Sequence, residues 1–454
     1  MQLHFPVLKP LAFVKEAVEG LEYKLTKPQM ANLMLILTAI ITCRSLCLTT
    51  LSSTMLGDRS INALSHFFTY AGINAKKLMA SAVAWAIRRM SLAGVAVRLA
   101  VDDTMKHHSR GAKKIANVYW LFDHVTQTNC NASCVVFVYL VISERIRFPV
   151  GWRVYRKGGL SKWKLAIEII DDVRDMGLNI SVVLFDSWFS VRGFVKKLER
   201  RELTFVGDMK SSNVLEYRLP DEDKTIVRLT ISSLLKHGKF LFKKVCLGLK
   251  SNEEEQPEKI LYQTYSKVAY VGAFRGKYLI VHSIDQRTNA SKTFVCNELS
   301  WEARKVLEEY SYRWMIEEFF GNAKGLCGLE EACIRSEQGG AIALFLVSYV
   351  DLLISVELWK GVHDNSEGRS PTVSAIYAAA SEENLRSFLA DPNADENFEK
   401  VIAFWLESLQ KAANKSRRIR KSLVEMDSPP GDDTPDACEK LGKDAPVSPS
   451  EEAA

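Results

Sequence analysis

The sequence predicts an α/β protein: a mixed sheet with helices, a β-rich insertion within it, and an all-helical segment in front. Three observations predict this. Residues 1–92 carry apolar residues at helical spacing and no alternating run. At Gly94 the period changes: in VAVRLAVDDT, Val95, Val97, Leu99 and Val101 share one face of a strand, and Asp103 continues that face. Between residues 211 and 297, short β-like runs follow one another, parted by charged or Gly/Asn turns.

Taken in order, a first helix is expected over Phe13–Tyr23 and a second over the apolar run after Lys27-Pro28. The run Met30–Cys43 ends at Arg44 and is short of the ~20 residues a bilayer requires, so it reads as a buried helix. Cys43 and Cys47 stand at helical spacing and read as core residues. Ser60–Tyr70 and Ala75–Met90, parted by a Gly-containing turn, have the outline of a helix-turn-helix, with Lys76, Lys77, Arg88 and Arg89 on the second helix. Ordinary helical bundles share that outline, so DNA-end binding by residues 1–92 stays open beside plain packing. A strand to Thr104, a polar loop KHHSRGAKK, and two strands within NCNASCVVFVYLVIS and RIRFPVGWRVYR follow. Then come an amphipathic helix over Lys162–Met176, the buried strand ISVVLFD, a helix in SWFSVRGFVKKLERR and a strand in ELTFVGDMK. Three antiparallel strands, a helix, a buried strand, a helix and a last strand is the order of an RNase H-like sheet. The expected domains are therefore a helical segment 1–92, a core in two parts (93–210 and 298–362), an insertion 211–297, C-terminal helices 363–426 and an acidic, disordered tail 427–454.

Composition bounds the function. The 47% hydrophobic and 25% charged fractions are those of a globular protein. Net charge is +6, but the last 28 residues contribute −6, so the body carries +12 and favours an anionic partner such as nucleic acid. The basic stretch KAANKSRRIRKS is a second place for phosphate contact or a solvated face. The long apolar run of GGAIALFLVSYVDLLISVELWKG contains Asp351 and reads as a core helix rather than a membrane span. Nine Cys without a CxxC pair suit a reducing cytoplasm, and Cys130/Cys134 lack a second Cys/His pair at zinc-finger spacing.

The chemistry gathers at three acids. Asp103 ends one strand, Asp186 ends the buried strand, and Glu317 lies within YSYRWMIEEFFGNAK, which reads as one helix. On it, Tyr310, Arg313, Glu317 and Lys324 fall within an arc of roughly 60°, with Trp314 flanking. Arg, Lys and Tyr suit phosphate, and grouped carboxylates suit Mg²⁺. Each acid alone is as readily a surface or capping residue. Asp102 competes with Asp103, and Glu318 with Glu317. Asp103 is preferred for continuing the apolar face before Thr104, and Glu317 because Glu318 points ~100° away. His107 and His108 read as loop residues, His124 as structural, and Trp188 as packing beneath Asp186.

Tyr, two residues, Arg, three residues, Glu, six residues and Lys is the signature of bacterial DDE transposases of the insertion-sequence-four type, and Tyr310, Arg313, Glu317 and Lys324 match it without a gap. VDDT and LFDSWFS resemble the group's two Asp motifs, and the β-rich segment resembles its insertion domain; the resemblance spans residues 93 to 350. It implies an RNase H-like fold and two Mg²⁺ ions (or Mn²⁺) held by Asp103, Asp186 and Glu317. It also implies DNA-end contact by Tyr310, Arg313, Lys324 and Trp314, strand cleavage at element ends, and transfer into target DNA by a homodimer in the cytoplasm. A catalytically inactive, DNA-binding derivative is the alternative, and a structure-specific nuclease would share the acids alone.

Overall fold

The computed structural model describes residues 5–55, 59–108, 115–123, 126–218, 226–231, 233, 242–249, 258–332, 334–363, 371–403 and 406. Residues 109–114 of the polar loop, His124, Cys333, the basic stretch at 411–422 and the acidic tail lie outside them. The chain divides into two units, 1–397 and 398–454, and every element named below lies in the first.

Five helices come first: α1 (Ala12–Glu19), α2 (Lys27–Cys43), α3 (Leu48–Thr54), α4 (Ile61–Tyr70) and α5 (Ala75–Arg89). Local chemistry sets their ends. Thr26 and Gln29 form a reciprocal capping box at the start of α2, with Pro28 in its first turn. Arg44 closes α2 in the left-handed region at φ 53°. The helix therefore stops at Cys43, and Cys47 is the residue before α3 rather than a second core cysteine. Ser60 and Asn74 cap α4 and α5 by accepting from Ala63 N–H and Lys77 N–H. Arg88 and Arg89 of α5 pair with Glu22 and Glu16.

The sheet begins with β1 (Ala96–His108), β2 (Tyr119–Asp123), β3 (Thr128–Val141) and β4 (Arg147–Val154). β2 is a strand the sequence reading did not anticipate. After α6 (Lys162–Asp175) come β5 (Asn179–Phe185), α7 (Arg192–Glu199) and β6 (Phe205–Asp208). The order β4–β3–β1–β5–β6, with β1, β5 and β6 parallel and the rest antiparallel, is RNase H-like. Pro149 is tolerated in β4 because the strand lies outside β3 and the ladder shifts register opposite it.

Strands β7 (Val214–Arg218), β8 (Ile226–Thr230), β9 (Lys243–Leu249), β10 (Glu258–Val271), β11 (Gly276–Asp285) and β12 (Ser291–Cys296) supply the β-rich segment. They do not form a separate sheet. β12 pairs with β6, and the whole makes one twelve-stranded sheet. Gly207 allows the close fit at β6, since a Cβ there would lie 2.1 Å from the Phe185 ring.

Helices α8 (Ala303–Ser311), α9 (Trp314–Gly325), α10 (Glu337–His363) and α11 (Val373–Leu389) complete the unit. α8 covers one face of the sheet: Val306, Leu307 and Tyr310 share a core with Val182, Leu184, Val206, Val281 and Phe294. α10 is long and apolar enough to span a bilayer, yet it is mostly buried here, packed against α1, α2, α4, α5 and β4. Its half-buried Asp351 accepts a hydrogen bond from Tyr139 Oη at 2.7 Å. Asp351→Ala leaves that phenol without its carboxylate acceptor, and a loss of about 2 kcal/mol is expected. Urea unfolding measures it; an unchanged midpoint would show that the pair contributes nothing.

Candidate active site

Register brings acids to one edge of the sheet. Val101 pairs with Phe185, and Phe185 with Gly207, so the next residues of three adjacent parallel strands are Asp102, Asp186 and Asp208. Side chains alternate along a strand. Val182, Leu184 and Val206 face α8, so Asp186 and Asp208 face α8 as well. Asp102 takes the same side, since Arg98, two turns of the pleat earlier, pairs with Glu309 of α8.

Asp103 does not join them. It points to the other face, where Lys162 Nζ of α6 lies 2.7 Å away and the Cys134 thiol donates at 3.2 Å. Asp102, rather than the expected Asp103, is thus the residue that shares the face of Asp186. The apolar face that Asp103 continues is the face packed on α6. Both faces of β1 are buried, so apolar continuity did not identify the functional side.

The stretch Tyr310–Lys324 is two helices rather than one. At Tyr312–Arg313 the bonds tighten to three-residue spacing: Arg313 N–H to Tyr310 O at 2.9 Å, and Ile316 N–H to Arg313 O at 3.2 Å. This break splits the four signature residues. Tyr310 is buried at the end of α8, its ring 4.5 Å from that of Phe294. Arg313, the residue before α9, is buried; it donates to Asp102 Oδ2 at 2.9 Å and to the Glu317 carboxylate. It thus links Asp102 to Glu317. Lys324 lies further along α9, 3.3 Å from Glu330, and lines a small cavity with Thr104 and Lys106. Glu318 turns away from the acids and pairs with Arg147 of β4, anchoring α9 on the sheet.

Electrostatics mark the acids as a strained group. Burial pushes the Asp102 carboxyl up to about 7, Asp186 adds repulsion, and Arg313 only partly offsets both. Burial likewise raises Asp186 to about 6; Arg313 lowers it and Asp103 raises it. Asp186 also accepts from Trp188 N–H at 3.0 Å, in a turn that precedes α7, so it does not cap that helix. Asp208 is raised by burial, with Lys292 and Arg313 opposing. Hard oxygen donors on one side of the sheet, with the Arg313 guanidinium between Asp102 and Glu317, are chemically suited to Mg²⁺ or Mn²⁺.

Beside the acids lies a groove of about 620 Å³ lined by Lys292, Phe294, Tyr310, Arg313 and Trp314, with Arg147 and Glu318 at one side. Trp314 is 57% exposed, and the Tyr310 hydroxyl is buried beside the Arg313 guanidinium. Trp188 is exposed rather than packed beneath Asp186, and Lys210 Nζ sits 4.5 Å from its ring centre. Sequence reasoning missed Asp208 and Lys292. ELTFVGDMK already carried one signal: like the other two strands, it ends on an acid.

Residues 25–225 match the family model described as DDE superfamily endonuclease. The match includes Asp102, Asp186 and Asp208 and ends before Glu317. It supports endonuclease or transposase-type chemistry, which in this class typically uses a divalent metal. No curated protein matches the chain.

Proposed function

We propose that the protein is a transposase of the insertion-sequence-four type. It cleaves DNA strands at the ends of a mobile element and joins the freed 3′-hydroxyls to target DNA. The observation that carries this reading is the Asp102–Arg313–Glu317 connection, with Asp186 on the same face of the sheet.

Asp102, Asp186 and Glu317 are the residues that would hold Mg²⁺, two ions in all, with Mn²⁺ an acceptable substitute. Bound there, the metal would acidify the attacking water or 3′-hydroxyl and neutralise charge on the leaving oxygen. The chain's own groups do the rest. Arg313 keeps Glu317 turned toward Asp102. The Arg147–Glu318 pair holds α9 on β4. In the groove, the exposed Trp314 offers a ring face to an unstacked base and Lys292 suits its phosphate, with Tyr310 and Phe294 forming the wall behind them. Lys324 contacts the backbone further along. The working form is a homodimer that holds two double-stranded ends together, by similarity to the same transposases.

The test is cleavage and strand transfer on DNA carrying the inverted repeats that flank the reading frame, in Mg²⁺ and in EDTA. Metal-dependent nicking at the repeat ends is expected, and Glu317→Ala should lose at least ~10³-fold in rate. Specific binding to those ends with no nicking under any divalent ion would replace the proposal with a DNA-binding derivative. Trp314→Ala should weaken end binding by about 1–3 kcal/mol while leaving metal affinity unchanged, measured by gel shift and calorimetry.

A further inference from the structure

The alternation that separates Asp102 from Asp103 runs on to the end of β1. His107 pairs with Ala132, Leu121 with Cys130, and Asp123 with Thr128. Ladder partners share a face, as do residues two apart. His107, Cys130 and Asp123 therefore converge on one face of the β1–β3–β2 corner, the face of Asp103 and Cys134 rather than that of Asp102.

Their ligand atoms lie within 4.8 Å of one another. His107 Nε2 is 3.1 Å from Asp123 Oδ2. Asp123 is buried, and the Thr126 hydroxyl donates to the same oxygen at 3.0 Å, which orients the carboxylate. Cys130 is a free thiol, raised above its usual range by burial and by Asp123.

We propose that His107, Asp123 and Cys130 form a zinc site, apart from the catalytic carboxylates, with the fourth position open to solvent or another ligand. The donor set decides the metal. Imidazole, carboxylate and thiolate together suit Zn²⁺, whereas the oxygen-only set around Asp102 suits Mg²⁺. Geometry agrees. Zinc bonds of ~2.0–2.3 Å in a tetrahedron place ligand atoms ~3.3–3.7 Å apart; the His107–Asp123 pair is already near that spacing, and Cys130 needs to approach by only about 1 Å. The site joins β1 to the β2–β3 hairpin, on the strand that carries Asp102, and so steadies the first catalytic acid from outside the metal cluster it serves. The ligands stand at positions 107, 123 and 130, a spacing unlike any finger, and only strand register brings them together.

The experiment uses the full chain, stripped of metal and titrated with Co²⁺, then with Zn²⁺ in competition with a chromophoric chelator. A thiolate-to-cobalt charge-transfer band with tetrahedral visible bands is expected at one equivalent. Cys130→Ser should remove the band, while Cys134→Ser and Asp102→Asn keep it. His107→Ala should weaken Zn²⁺ by ~10–100-fold. Circular dichroism checks that each variant is folded, and His107→Gln stands in if His107→Ala is not. A wild-type chain without the band, or a band that survives Cys130→Ser, overturns the proposal.

Discussion

Asp102→Asn is expected to reduce metal-dependent strand cleavage at least ~10³-fold, about 4 kcal/mol of transition-state stabilisation, while Asp103→Asn stays within ~10-fold of wild type. The two residues are neighbours of the same type, and the local apolar pattern, which ends on Asp103, predicts the opposite ranking. The sheet separates them. Asp102 shares a face with Asp186 and is hydrogen-bonded to Arg313, which holds Glu317. Asp103 is spent on Lys162 and Cys134 beneath the sheet. Its loss should appear instead as a stability change of about 1 kcal/mol, because the pair with Lys162 is only partly shielded from water. Single-turnover nicking and urea unfolding on both variants separate the two effects. If Asp103→Asn were the inactive variant and Asp102→Asn active, the assignment of faces would be wrong.

The same pair of residues shows what a sequence discloses and what it withholds. The period change at Gly94, the apolar run ending at Asp186 and the Tyr310–Lys324 spacing were all legible, because each depends on residues close in the chain. The RNase H-like strand order followed from them. Which acid of VDDT faces the site was not legible, since β1 is covered on both sides and the pattern of apolar residues carries no sign for the functional face. The break at Tyr312–Arg313 had no Gly or Pro to announce it. β2 was hidden because YWLFD is short and follows a polar loop. Asp208 and the His107–Asp123–Cys130 cluster depend on register between strands far apart in sequence, which a single chain does not display.

In EDTA, the protein should lose stability as pH rises from about 4 to about 7, and Mg²⁺ should restore it. The sign follows from the direction of the shifts. Asp102 and Asp186 are raised in the folded state to about 7 and about 6, against ~3.9 for an unfolded Asp. Between those limits the folded chain binds more protons than the unfolded one, so stability falls with rising pH and levels off above about pH 7. The expected loss is on the order of 3 kcal/mol, less than two independent shifts would give, because the acids share one repulsion. Acids held low by partners, such as Glu16 and Glu309, act in the opposite sense and lower in pH. The difference between wild type and Asp102→Asn isolates the site: the variant should show a flatter slope between pH 4 and 7. Mg²⁺ should raise the wild-type Tm more at pH 8 than at pH 5, because it must displace protons from the carboxyls at the lower pH. It should shift Asp186→Asn far less at either. Equal Mg²⁺ shifts in wild type and both variants would mean that the ion binds elsewhere, and that the cluster of acids is held together by Arg313 alone.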